Sequence, residues 1–380
     1  MKINKLILAS VLGLSVASLA DAGNVYITGS TACRGNVYSA MTTAGEVFTA
    51  TPTTTLYKGG GAGATYMAFV GTLVGGSGST TIQCDWSGSE GGIKDVATGA
   101  SENFIGGTLD GTDHGSASPG TFLSAPVTLA FGDNAQSFSR TATPVVNNTA
   151  PIGVITFKWV RNNGVWNGTN VTDSQIRQAM GGFCPRAVFS GNSADTTDFV
   201  YVSGRDNQSG TRVNAFGDTG WGIFTSPSQV ELDGSGNLVL LPDSTYASDF
   251  GFSSGGSLAG TLGTSTVGKN DPQAGTTGAG FSVIAYLSVG DANTAIGLGA
   301  QELTYDGVLF SAAAVKEGTY TFWGNEYVFQ GNGVTTGSDS NIAYNNLAAN
   351  VKNHADGIKL IKLTDMHTSR SGPTADPAHN

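Results

Sequence analysis

Charge is scarce in this sequence. Asp, Glu, Lys and Arg make up 12% of its 380 residues, 28 acidic against 18 basic, for a net charge of −10 at pH 7. There is no basic stripe to neutralise a phosphate backbone, which excludes nucleic acid as a partner. Low charge combined with 39% apolar residues also excludes a disordered chain, which is highly charged and poor in apolar residues. Cysteine is nearly absent. Cys33, Cys84 and Cys184 are odd in number and fit no zinc spacing. One disulfide with one free thiol and three small buried thiols both remain open. The four histidines, His114, His354, His367 and His379, fall in polar surroundings with no metal-pair spacing, so neither a metal nor a cofactor is expected. There is no G-x-S-x-G nucleophile elbow. The segment Gly263 to Asn270 nearly spells a P-loop but lacks the final Ser/Thr and a strong preceding strand. Beyond the first twenty residues, no apolar run is long enough to span a membrane.

What is present begins with an export signal. Lys2 and Lys5 precede an apolar run from Leu6 to Ala20, and Ala20-Asp21-Ala22 fits the small-x-small cleavage rule. Residues 1–22 are read as a signal peptide. No cysteine stands at the cleavage point for a lipid anchor, and the product is expected in the periplasm or outside the cell. The length suits two domains or one large one. Glycine is abundant at 56 residues, which fits a loop-rich exported globule.

Strand, small-residue turn and helix recur. Asn24 to Thr28 runs into Gly29-Ser30-Thr31, with a helix expected over Ala32 to Met41. Thr54 to Lys58 runs into Gly59 to Ala64, with a helix expected over Thr65 to Leu73. Thr81 to Asp85 runs into Ser87 to Gly92, with a helix beginning near Ile93. This is α/β patterning, and in an open sheet such turns gather at the carboxyl ends of the strands, where ligands bind. Ile152 to Arg161 and Phe281 to Val289 read as buried strands. Thr172 to Gln175 is a capping box. Val230 to Leu241 reads as a hairpin, and Gly251 to Gly280 as a Gly/Ser/Thr-rich surface insertion.

The strand Asp198 to Ser203 leads into Gly204-Arg205-Asp206-Asn207-Gln208-Ser209-Gly210-Thr211-Arg212. Arg205 offers a planar fork of N–H donors, and Ser209 and Thr211 add hydroxyls. Gly210 admits close approach of a ligand to the backbone, and a helix starting there would aim its free N–H groups at the same place. The stretch reads as an anion clamp.

In this order these segments resemble the phosphate-binding proteins of ABC importers, within the type II periplasmic binding protein superfamily. The resemblance is carried by Ile27 to Thr31, Tyr57 to Gly63, Ser87 to Glu90, the R-x-x-x-S-G-T spacing from Arg205 to Thr211, Ile284 to Leu287, and Gly318 to Val328. It implies a two-lobed α/β fold with the ligand cleft between the lobes. Lobe I would comprise 23–151 and 318–380, and lobe II 152–317. The implied cage consists of Ser30, Thr31, Ala32, Gly61, Ala62, Gly63, Ser89, Glu90, Arg205, Ser209, Gly210 and Thr211. The implied function is non-enzymatic capture of inorganic phosphate or a similar oxyanion by a monomer that serves an ABC transporter permease or senses the ion. A surface or matrix protein that reuses the fold, and a phosphatase-like enzyme, are the competing readings.

Glu90 stands where the family has an aspartate. A carboxylate facing an anion is repulsive unless the anion brings a proton to share. Hydrogen phosphate has one, with a second pKa of about 6 to 7 by analogy with phosphoesters, whereas sulfate has none. A buried acceptor left unanswered costs about 1–3 kcal/mol, enough for a roughly tenfold preference.

Overall fold

The computed structural model describes residues 23–148, 150–241 and 251–379. The signal segment, 1–22, lies outside the described residues. Strand β1 (Asn24–Gly29) leads to helix α1 (Arg34–Thr42). Strands β2 (Thr53–Tyr57), β3 (Tyr66–Thr72) and β4 (Ser79–Asp85) follow, then α2 (Ser89–Thr98), β5 (Leu129–Gly132) and the long β6 (Gly153–Arg161). After α3 (Asp173–Met180) come β7 (Phe199–Ser203), α4 (Gly210–Asp218), α5 (Gly255–Leu262), β8 (Ser282–Ser288), α6 (Val289–Gly297), β9 (Trp323–Gln330) and α7 (Asp339–Asn350). The fold is mixed α/β, built on one large mixed sheet in which these strands lie in the order β7-β8-β6-β9-β5-β1-β4-β3-β2.

The sheet has two halves. In one, β1 runs parallel to both β4 and β5; in the other, β7 runs parallel to β8. Two strands are common to both. β6 pairs with β9 over Gly153 to Thr156 and with β8 over Phe157 to Arg161. β9 pairs with β6 over Trp323 to Glu326 and with β5 over Tyr327 to Gln330. The unbroken apolar run of β6 reflects this central place, since every one of its residues is buried. The main core cluster follows the shared strands, from Val25 and Ile27 through Phe157 and Trp159 to Trp323. A second cluster, including Leu258, Phe281 and Leu287, lies under the β7–β8 half.

The capping box starts α3. Thr172 Oγ accepts from Gln175 N at 3.4 Å, and Gln175 Oε1 accepts from Thr172 N at 2.9 Å. The hairpin forms between Val230–Leu232 and Leu238–Leu240. Two expectations fail. Within residues 65–73, where a helix was expected, Tyr66–Thr72 form strand β3. Their aromatic and β-branched side chains suit a pleated surface, and pairing with β2 on one side and β4 on the other satisfies the backbone. The 251–280 segment is more than a surface insertion, because α5 buries Leu258, Ala259 and Leu262 in the second core cluster. The three cysteines are free and buried. Burial raises all three thiol pKa values, which keeps them as inert packing groups.

Candidate functional site

Because β3 is antiparallel to both β2 and β4, the strands β1, β2 and β4 point the same way. Their turns therefore meet at one end of the first half. The loop between β7 and α4 faces them from the second half.

Arg205 is 2% exposed and held on three sides. Its backbone N–H donates to the Tyr286 hydroxyl at 3.1 Å, and Nε and Nη2 donate to the carbonyls of Phe252 and Ser253, each at 3.0 Å. Ser209 caps α4, with its Oγ accepting from Arg212 N at 3.3 Å, which leaves the hydroxyl proton for another acceptor. Gly210 opens the helix and Thr211 is buried in its first turn. A Cβ at Gly210 would clash with Ser89 Oγ and lie 2.9 Å from Asp133 Oδ2, so glycine is required by the approach of the first half.

The group at the centre is Asp133, which follows β5 and is 2% exposed. Ser30 Oγ donates to its Oδ1, and its own backbone N–H donates to Ser89 Oγ at 3.2 Å. From the second half, Asn214 Nδ2 donates to the Asp133 carbonyl at 3.1 Å and to that of Gly210 at 2.9 Å. Burial raises the Asp133 pKa, while Ser30, Glu326, the Arg205 charge and Ser89 work against the rise. Glu326, on β9, is fully buried beside Asp133, Ser30 and Cys33. Its two oxygens make no contact of hydrogen-bond geometry, and burial followed by the Asp133 charge raises its pKa well above the usual carboxylate range. Glu326 and Asp133 are thus two buried acids side by side, each with its pKa raised chiefly by burial.

Glu90 is buried too, but its carboxylate is engaged elsewhere. Oε1 accepts from Asn134 Nδ2 at 2.9 Å and Oε2 from Arg140 N at 2.6 Å. Burial pushes its pKa up to about 7 in spite of these bonds. The first N–H groups of α2 point across the junction. Glu90 N and Gly91 N donate to the Gln208 carbonyl at 2.8 and 3.3 Å. Gly88, at φ 120°, has no Cβ to obstruct that carbonyl.

Thr31 and Ala32 line an adjacent cleft of about 450 Å³ together with Ala62 and Gly63. Gly61 lies apart, its N–H donating to Asp113 Oδ2 at 2.8 Å. The structure thus gathers Ser30, Ser89, Arg205 and Gly210 around Asp133, with Ser209 and Thr211 beside Gly210. Thr31, Ala32, Ala62 and Gly63 border the cleft, and Gly61 and Glu90 face other partners. Asp133, Asn214 and Glu326 were missed in the sequence. Asp133 had a readable signal, a Gly132-Asp133-Asn134 turn after the apolar Leu129 to Phe131. Chemically, hydroxyls, a helix N-terminus and a guanidinium close to a buried carboxylate are groups suited to an oxyanion.

No family model and no curated protein matches the sequence. Among solved structures, the chain is similar to a protein of Clostridium perfringens assigned as a phosphate ABC transporter substrate-binding protein and solved with bound phosphate. The two are 14% identical over 90% of this chain and 100% of that one, with a TM-score of 0.48. It is also similar to an ABC-type phosphate transport receptor of Vibrio cholerae, 11% identical over 90% of this chain and 100% of that one, with a TM-score of 0.47. At these identities and TM-scores the likenesses assign this chain no ligand.

Proposed function

We propose that this chain is an exported, non-enzymatic binding protein that captures an oxyanion, phosphate above others, for ABC import or for sensing. The observation that carries the proposal is the approach of polar groups from both halves to the buried Asp133. Ser30 Oγ donates to its carboxylate and Ser89 Oγ accepts from its N–H; from the second half, Asn214 Nδ2 donates to its carbonyl and Gly210 packs close to its carboxylate, with Arg205 and Ser209 in the loop just before.

Asp133, and not Glu90, takes the selecting role in this reading. It lies among the donors, whereas Glu90 is engaged by Asn134 and Arg140. Hydrogen phosphate donates its proton to Asp133; sulfate leaves that acceptor facing a bare anion. The lobes are taken as 23–151 with 318–380, and 152–317, and they close over the ligand about β6 and β9. The protein acts as a monomer in the periplasm or outside the cell, delivering to a permease.

Calorimetric titration of the ion-stripped, refolded protein tests the proposal. Binding of phosphate with at least about tenfold weaker binding of sulfate supports it. The absence of heat with every oxyanion would overturn it, and turnover of a phosphomonoester would replace it with an enzymatic reading.

A further inference from the structure

The cleft beside the cage is larger than one tetrahedral anion needs. Its volume of about 450 Å³ lies in the range of pockets that hold whole small molecules. It is open even though the halves already touch where the Gln208 carbonyl meets the start of α2. Both halves wall it, one through the start of α1 and the other through Ser288 to Asp291. It abuts the cage, since Thr31 on its wall directly follows Ser30.

Two cations line this cleft, Arg34 and Lys359. Neither side chain has a hydrogen-bond or ion-pair partner among the described residues. The carboxylates that share the lining are engaged. Asp291 Oδ2 accepts from the Ser288 hydroxyl at 2.8 Å, and Asp356 Oδ1 accepts from the N–H groups of Ile358, Lys359 and Leu360 at 2.7 to 3.2 Å. His354 Nε2 lies 2.6 Å from Glu46 Oε2. Burial lowers the Arg34 pKa, the Asp291 carboxylate raises it and the Arg205 charge lowers it, so cleft and cage share one electrostatic field. A partly buried guanidinium with no hydrogen-bonded partner has its desolvation only partly offset by the Asp291 charge, and an anion bound beside it offsets the rest.

Building on the oxyanion reading of the cage, we infer that the ligand is an anion with two phosphoryl groups, one held in the cage and the other in the cleft at Arg34 and Lys359. The planar fork of Arg34 matches two oxygens of a terminal phosphoryl group, and Lys359 adds a mobile point charge at the rim.

The full chain is titrated with inorganic phosphate and with inorganic pyrophosphate. Pyrophosphate is expected to bind at least about tenfold more tightly. Arg34→Gln should remove most of that advantage, about tenfold, while phosphate affinity stays within about twofold, which also reports that the variant is folded. Lys359→Ala, at an exposed position, should weaken pyrophosphate binding about two- to threefold and leave phosphate unchanged; it carries the test if Arg34→Gln does not fold. Equal affinity for the two anions in the wild type, or loss of both alike in the variants, overturns the inference and leaves the cage reading standing. Failure of both anions to bind the wild type overturns both.

Discussion

At the junction the two halves of the molecule present opposite chemistry. The first half offers buried acids, Asp133 and Glu90, and nearby Asp85 and Asp95; the second offers the buried guanidiniums of Arg205 and Arg212, with a single buried acid, Asp206, in the same loop. The acids of the first half are held in raised-pKa environments, in each case mainly by burial. The guanidiniums of the second half are anchored to carbonyls. Arg205 donates to Phe252 and Ser253, and Arg212 Nη1 donates to the Arg205 carbonyl at 3.1 Å. On the proposed function, this contrast assigns attraction and choice to separate walls: the cationic wall would draw in any oxyanion, and the acidic wall would admit one that brings a proton.

The sharpest way to break this contrast is to remove the cation. Arg205→Ala should weaken phosphate binding by about 100-fold or more in a calorimetric titration, in line with about 2–5 kcal/mol for truncating a buried charge partner. A loss under about tenfold would place the attraction elsewhere.

The acidic wall is probed by pH. Asp85, Glu90 and Asp95 each have a folded pKa near 7, pushed up chiefly by burial, against about 4 in the unfolded chain. The folded state therefore binds more protons in that interval. The stabilisation is complete below the unfolded values and is lost as pH rises through 7. Thermal unfolding should occur at a higher temperature at pH 5 than at pH 8. Glu90→Gln should remove up to about 3 kcal/mol of that dependence, and a pH-independent Tm would show that these acids are not desolvated.

The contact between the walls is tested by Gly210→Ala. The added methyl meets Ser89 and Asp133 across the junction, so stability should fall by about 1–3 kcal/mol in denaturant titrations, with weaker phosphate binding. Unchanged behaviour would mean that the halves do not meet there in solution. The smallest effect is the most specific. Asp133→Asn should lower the phosphate-to-sulfate affinity ratio about tenfold, while Glu90→Gln should leave it within about twofold. The reverse outcome would return the selecting role to Glu90.

Much of the fold was legible because strand ends and turns are local. The buried run of β6, the Thr172 capping box and the glycine-rich turns all state their structure within a few residues. Residues 65–73 were misread because strand pairing is a tertiary event, and Met67 and Phe69 suit an apolar helix face as well as a strand. Helix α5 was hidden by composition, since a Gly/Ser-rich segment announces a loop even when Leu258 and Leu262 are spaced to share a face. The cage was half legible. Arg205 to Thr211 is contiguous and carries its chemistry in order. Asp133 and Glu326 reach the site through the pairing of β5 with β1 and β9 and of β9 with β6, which are tertiary events.

The shared strands have a further consequence. β6 changes partner between Thr156 and Phe157, and β9 changes partner between Glu326 and Tyr327, so each is hydrogen-bonded into both halves without a linker between. Neither half can lose its sheet without stripping a strand from the other. Melting should therefore be one cooperative event, and a calorimeter would count a single unit where the topology shows two.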